Sequence, residues 1–377
     1  MKRTELMPIS GLVLLVLLMN CGSGPVVWQR TIDCGAGEIA AGLAADRTKL
    51  VVVGTKTTNQ SRTAWVIQAI SKHGRLLWRR NFSQGESNIA GDVVMNPHGE
   101  AFVAGSCKIQ GHQMCVVVKY SPEGSVIWQR AIAMGNASQA KGIALTDKGI
   151  FICGTVREKD KQDMLVVFLD TEGKTIWSKN YDFGPIDEAT RLAVDKKGGP
   201  VLIGQTGTAE NPDILLARLN PKGETLWTRV YDSGEPDRAG DIVLDVFGNI
   251  VATGTGRSGD STRCVILEYH PDGKLIRKTA YGERGLAEGH AIAATPDADL
   301  FVAGRLYGPK QTYMLAFQYQ PNATSIWERT YQSNAGDVTG VDLVVDTDVF
   351  VLGTIEKKKG SPDMVVVRFS RPVVSQS

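Results

Sequence analysis

Laid out in rows of about fifty residues, the chain places Asp92, Arg191 and Asp241 in one column, whose other members are Gly42, Ile143, Ala291 and Val341. Lys141, Arg238 and His290 lie at the starts of the same segments. Ionisable groups in an otherwise small and apolar column invite three readings. Two carboxylates facing one another could carry out acid and base steps on a glycosidic bond. The same acids with the neighbouring cations could surround a small anionic ligand at the mouth of a channel. Most simply, Arg191 and Asp241, which come from consecutive segments, form a structural ion pair. No His-x-x-x-His, Gly-x-Ser-x-Gly or Asp-x-Asp-x-Asp-Gly pattern occurs, and the five histidines (His73, His98, His112, His270, His290) are scattered. Neither a metal nor a cofactor is expected.

The six cysteines have no metal-ligand spacing. Cys107 and Cys115 flank one hairpin, so a disulfide across it is allowed in an oxidising compartment. Cys34, Cys153 and Cys264 are expected to be unpaired. Cys153 aligns with Val53, Ala104 and Ile203, and Cys264 with Ile214 and Met364; there a thiol serves as a small hydrophobe.

What positions these residues is a repeat. Trp28, Trp78, Trp128, Trp177, Trp227 and Trp327 share one register, with Arg277 where the series skips. A period near fifty marks propellers and solenoids. A glycine column precedes the tryptophans (Gly74, Gly124, Gly173, Gly223, Gly273), and a second runs through Gly54, Gly105, Gly154, Gly204, Gly254, Gly304 and Gly353, which makes seven units. The third unit reads as strands over 140–146, 150–155, 164–169 and 175–181, with Asp147-Lys148-Gly149 and Asp170-Thr171-Glu172-Gly173 as turns. Four strands per unit describe a blade. The segment at Trp28 is a fourth strand without three before it, and the last unit stops after a third strand, 364–369. Together they complete one blade. The expectation is an all-β, seven-bladed propeller over residues 26–370, closed by the N-terminal strand and followed by a tail, 371–377.

Two residues beyond the tryptophan column stand Arg30, Arg80, Arg130, Lys179, Arg229 and Arg329, with Thr279 as the exception. Charge on an outermost strand blunts an exposed edge, and the side chain can lie beside the indole on the same face. A basic belt for anionic glycan or lipid is the alternative. Stretches 108–113, 157–163 and 357–362 read as long loops on the face where the inner strands begin.

The units, with Asp237-Arg238-Ala239-Gly240, Asp245-Val246-Phe247-Gly248-Asn249, Gly254-Thr255 and Asp272-Gly273 in the fifth, resemble the bacterial β-propeller repeat called SBBP over residues 26 to 370. A weaker similarity links them to the repeats of pyrroloquinoline quinone enzymes and of the outer-membrane-assembly propeller lipoprotein, which usually have eight blades. The adjacent cysteine pair that quinoprotein alcohol dehydrogenases often place beside their cofactor is absent. The resemblance implies a platform, since its motifs recur in every blade and specify fold rather than activity.

Lys2 and Arg3 before the apolar run 11–19 match a secretory signal over 1–20, too short to span a bilayer. Leu18-Met19-Asn20-Cys21 resembles a lipobox, which makes Cys21 the site of lipid attachment. Asn20 is larger than the usual residue there, and cleavage after Ser23 is the alternative. Either reading exports the protein. Residues 21–25 would be a short tether, its last four spanning at most about 14 Å. With 42 basic against 40 acidic residues, no net field favours nucleic acid. The expected function is a membrane-anchored, non-catalytic binding or scaffold propeller of the cell envelope that engages a protein or glycan around its channel. The alternative is a glycan-active or quinone-dependent enzyme using acids at the same mouth.

Overall fold

In a computed structural model, residues 26–372, except 36, 59–61, 260, 283–285 and 321–322, are described. Cys21, the signal segment, the tether and residues 373–377 lie outside them. The described chain forms seven four-stranded antiparallel sheets arranged as a ring and contains no helix. Blades 1 to 6 span residues 38–82, 88–132, 137–181, 188–231, 238–281 and 287–331. Blade 7 takes its three inner strands, Gly336–Val345, Asp348–Lys357 and Asp363–Ser370, from the end of the chain, and its outer strand, Val26–Ile32, from the beginning. Six pairs from Val26↔Phe369 to Ile32↔Met364 close the ring, as the sequence predicts.

The two middle strands of each blade are buried on both faces. Leu50 to Val53, and Trp65, Val66 and Ile67 beside them, have no solvent exposure because each face packs on a neighbouring blade. That is why these strands read as continuous apolar runs rather than alternating ones. The core is therefore seven slabs between blades, one of them joining Val51, Val53 and Ile67 of blade 1 to Val93, Val103 and Val116 of blade 2.

Tryptophan, glycine and arginine columns interlock across those slabs. Trp78 donates its indole N–H to the Pro122 carbonyl (2.9 Å), and Arg80 donates Nε–H to the Gly124 carbonyl (2.7 Å), both in the next blade's outer turn. Gly124 has φ +83°, and a Cβ there would lie 2.6 Å from the Trp78 ring. Trp28 with Arg30, and Trp227 with Arg229, repeat the pattern. The basic column thus clamps blade to blade, with its cations lying over the indoles of Trp78, Trp128, Trp177, Trp227 and Trp327. Where Arg277 replaces tryptophan, the matching turn column of blade 6 holds Ala323 in place of glycine. There Tyr281 stacks on Phe317 instead, with centroids 4.0 Å apart.

Two expectations need correction. Cys107 and Cys115 are free thiols. In their hairpin Cys107 pairs with Met114 and Cys115 with Ser106, so the two cysteines are one register step apart and point to opposite faces. Cys107 packs into the slab with blade 1 and Cys115 into the slab with blade 3, and burial pushes both thiols up to about 12. The stretches 108–113 and 157–163 are mainly strand ends: Ile109 pairs with His112, and Glu158 with Lys161, across two-residue turns.

Candidate functional site: a plugged central channel

Each innermost strand carries a β-bulge at the same height, for example between Ala40 and Gly42, Ala90 and Asp92, and Gly340 and Asp342. A bulge inserts an extra residue and re-aims the side chains around it. Strand pairing gives the true channel column as Gly42, Asp92, Gly142, Arg191, Asp241, Ala291 and Asp342. Ile143 and Val341 belong one position away, so sequence reasoning missed Asp342. The hairpins that follow the two misplaced positions, Asp147-Lys148 and Asp346-Thr347, have two residues each and are shorter than the other five, which shifts these strands against the repeat. Counting back from the turn would have found Asp342, because every member of the column lies three residues before the last apolar position of its strand.

The three aspartates do the same thing. Asp92 accepts the N–H of Val93 with Oδ1 (2.8 Å) and that of Ile143, in the next blade, with Oδ2 (3.3 Å). Asp241 links Ile242 to Ile292 (2.8 and 3.1 Å), and Asp342 links Leu343 to Leu43 (2.8 and 2.6 Å). Each carboxylate is a staple between consecutive blades. Arg191 crosses the space between them. Its guanidinium donates to the carbonyls of Lys141 (3.0 Å) and Thr190 (3.2 Å) on its own side, and to that of Ala41 (3.0 Å) three blades away; its Nε lies 3.8 Å from Asp92. The ion pair foreseen between Arg191 and Asp241 is not formed: the carboxylate nearest the guanidinium is Asp92, and Asp241 belongs to the same plug of one cation and three acids without pairing directly with it.

Burial raises the pKa of Asp92 and Asp241, the latter to about 6, against the lowering influence of Arg191. It raises Asp342 well above the usual carboxylate range, with Asp92 adding to the shift. For Arg191, burial works against the charge, but the three acids outweigh it and its pKa is raised.

The plug divides the channel into two unlike mouths. On the face of the hairpins that join first to second strands lies an apolar vestibule of about 470 Å³, lined by Val94, Met95, Leu145, Val194, Leu244 and Ala294 among others. On the opposite face, where inner strands begin, the lining is charged. Lys141 pairs with Glu188. His290 Nδ1 faces the Gly340 carbonyl (2.8 Å) and Nε2 faces Glu288 (3.0 Å), while Tyr307 donates to the other oxygen of Glu288 (2.5 Å). Burial opposes the Glu288 charge, but the bonds from His290 and Tyr307 bring its pKa down to about 2. Arg238 is exposed on this face. Of the six residues singled out from sequence, three are therefore inside the plug and three, Lys141, Arg238 and His290, are at the inner-strand face. Glu188, Glu288 and Tyr307 complete that mouth, and no repeat column marked them.

No family model matches the chain, and no curated protein matches it by sequence. Solved structures do. It is similar to an ulvan lyase of polysaccharide lyase family PL25 (TM-score 0.57, 8% identity, 92% of this chain and 98% of that one). A protein of unknown function from Dyadobacter fermentans matches at TM-score 0.55 and 11% identity, over 92% and 99% of the two chains. The β-propeller domain of the trilobed protease from Pyrococcus furiosus, which has an open velcro topology, matches at 0.51 and 13%, over 88% and 95%. Here Val26–Ile32 pairs with Asp363–Ser370. At such identities the likeness shows the fold. The chain is a seven-bladed β-propeller.

Proposed function

We propose that this is an exported, lipid-anchored, non-catalytic propeller of the SBBP type, which holds a protein partner on the face where its inner strands begin. The observation that carries this reading is the make-up of that face. Ile39, Ile89, Ile186 and Leu286 stand exposed there, Ile39 to 57%, at the starts of inner strands around the charged mouth. Aliphatic side chains framed by charge fit a protein surface better than a sugar. The acids that an enzyme would use, Asp92 and Asp241, each commit both oxygens to backbone staples.

The position of Val26, the first described residue, is compatible with an anchor. Val26 pairs with Phe369 at the turn face, the side of the apolar vestibule, so a short tether from Cys21 leaves the opposite face directed away from the membrane. Phe247, 78% exposed on a turn of blade 5, projects from the tethered side.

The test is a pull-down from detergent-solubilised envelope with the tagged, lipid-modified protein. A stoichiometric protein partner lost on Ile39→Asp or Ile89→Asp, but kept on Phe247→Asp, supports the reading. Retention of every bound protein by both inner-strand-face variants overturns it. Capture of glycan alone would point to the sugar-binding role suggested by the lyase-like fold, and turnover abolished by Asp241→Asn in a folded protein would point to the enzyme.

A further inference from the structure

Three positions meet wherever one blade hands the chain to the next: the start of the third strand, the residue after the fourth strand, and the start of the next inner strand. In three of the seven junctions all three are acidic. Between blades 7 and 1 they are Asp363, Asp33 and Glu38; between 3 and 4, Asp163, Asp182 and Asp187; between 4 and 5, Asp213, Asp232 and Asp237. In each set one carboxylate oxygen per residue lies within 4.8 Å of the others. In the other four junctions none of the corresponding positions is acidic; they read Ala64, Ser83 and Asn88 between blades 1 and 2, and Arg263, Gly282 and Ala287 between 5 and 6. Acids that arrive in threes or not at all are acids that share a task.

A second observation says what the task is. Asp187 has no solvent exposure; its Oδ2 accepts the N–H groups of Phe183 (2.6 Å) and Gly184 (2.9 Å), and its Oδ1 is buried with no hydrogen-bond partner. Asp213 likewise has a buried, partnerless Oδ1. A buried carboxylate oxygen facing two other carboxylates is costly unless a cation joins them. In one junction a lysine supplies charge, Lys357 Nζ lying 2.8 Å from Asp363 with Asp33 and Glu38 also within its electrostatic reach. Between blades 3 and 4, the exposed Lys161 pairs with Asp182, at 2.7 Å, and leaves the buried Asp187 without a cation partner. Between blades 4 and 5 its counterpart is Asn211, and among the described residues no lysine, arginine or histidine pairs with any of the three acids.

We infer that the junctions between blades 3 and 4 and between blades 4 and 5 each bind one Ca²⁺ ion, held by Asp163, Asp182 and Asp187 in the first and by Asp213, Asp232 and Asp237 in the second. The donors are all oxygens, with no histidine or cysteine, which selects a hard cation. Oxygens up to 4.8 Å apart fit around an ion whose bonds are about 2.3–2.6 Å long, and water completes six to eight ligands. Each ion ties the third and outer strands of one blade to the inner strand of the next.

The experiment is a titration of the EDTA-treated, detergent-solubilised full-length protein with Tb³⁺, followed by luminescence and displaced by Ca²⁺. The expected result is two ions per chain, one in Asp187→Asn, one in Asp237→Asn, and two in Asp363→Asn, where lysine already serves. At a hundredfold excess over Kd, Ca²⁺ should raise the folding equilibrium constant about hundredfold per site, read as a higher Tm that EDTA reverses. If the buried variants fail to fold, Asp163→Asn and Asp213→Asn, on the half-buried third-strand positions, take their place. No bound ion, or two ions retained by both variants, overturns the inference.

Discussion

At the scale of single residues, the centre of the ring depends on Arg191. Removing one partner from a buried charge network strands the rest, at about 3–5 kcal/mol. Arg191→Leu should therefore destabilise the protein by that order in urea melts near pH 8. The sign of its pH dependence follows from the carboxylates. Asp92, Asp241 and Asp342 already have raised folded-state pKa values, Asp241 about 6, and losing the guanidinium raises them further. An acid with a raised folded pKa contributes stability that is fully present below its unfolded value and is lost as pH rises through the folded one. The variant should thus approach the wild type as pH falls from 8 towards 5. A gap that is constant or widens over that range would show that Arg191 is not the counter-charge of these acids. The thiols offer a simpler check: under non-reducing conditions, denatured protein should expose both Cys107 and Cys115 to a thiol reagent, whereas native protein protects them.

At the scale of the strand and turn, the repeat records the latch between blades. Gly124→Ala places a Cβ 2.6 Å from the Trp78 ring at φ +83°. It should cost more than the roughly 1–2 kcal/mol that a left-handed backbone alone costs alanine. In a Trp78→Ala background the extra cost should vanish, and equal penalties in both backgrounds would dissociate the two columns. This coupling explains why blade number, strand order and ring closure were legible in the sequence: tryptophan, glycine and arginine recur because each contacts its counterpart in the next blade. The channel was legible only in part. Asp92, Arg191 and Asp241 stood out as charges among small residues, but Asp342 was hidden by a short hairpin, and the charged mouth of Glu188, Glu288 and Tyr307 occurs once and has no column. The hairpin faces of Cys107 and Cys115 required strand register, which neighbouring cysteines do not reveal.

At the scale of the whole molecule, the ring has no spare strand. Removing residues 1–32 would leave Asp363–Ser370 as an open edge, paired only on the side of Asp348–Lys357. Such an edge templates pairing between chains. The truncated protein should appear as oligomers on size exclusion, and a stable monomer with an unchanged melting curve would mean that closure contributes little. The closing strand also has a mechanical meaning. It runs antiparallel to Asp363–Ser370, and its first residue, Val26, lies at the turn face. A pull on the N-terminus from that side, against a partner held on the opposite face, acts along the strand. The load is shared by all six pairs at once, in shear, instead of peeling them singly. If Cys21 carries the proposed anchor and that face holds the proposed partner, the propeller would bear tension between the two until the ring itself opened, and the first piece to leave would be the strand that completed it.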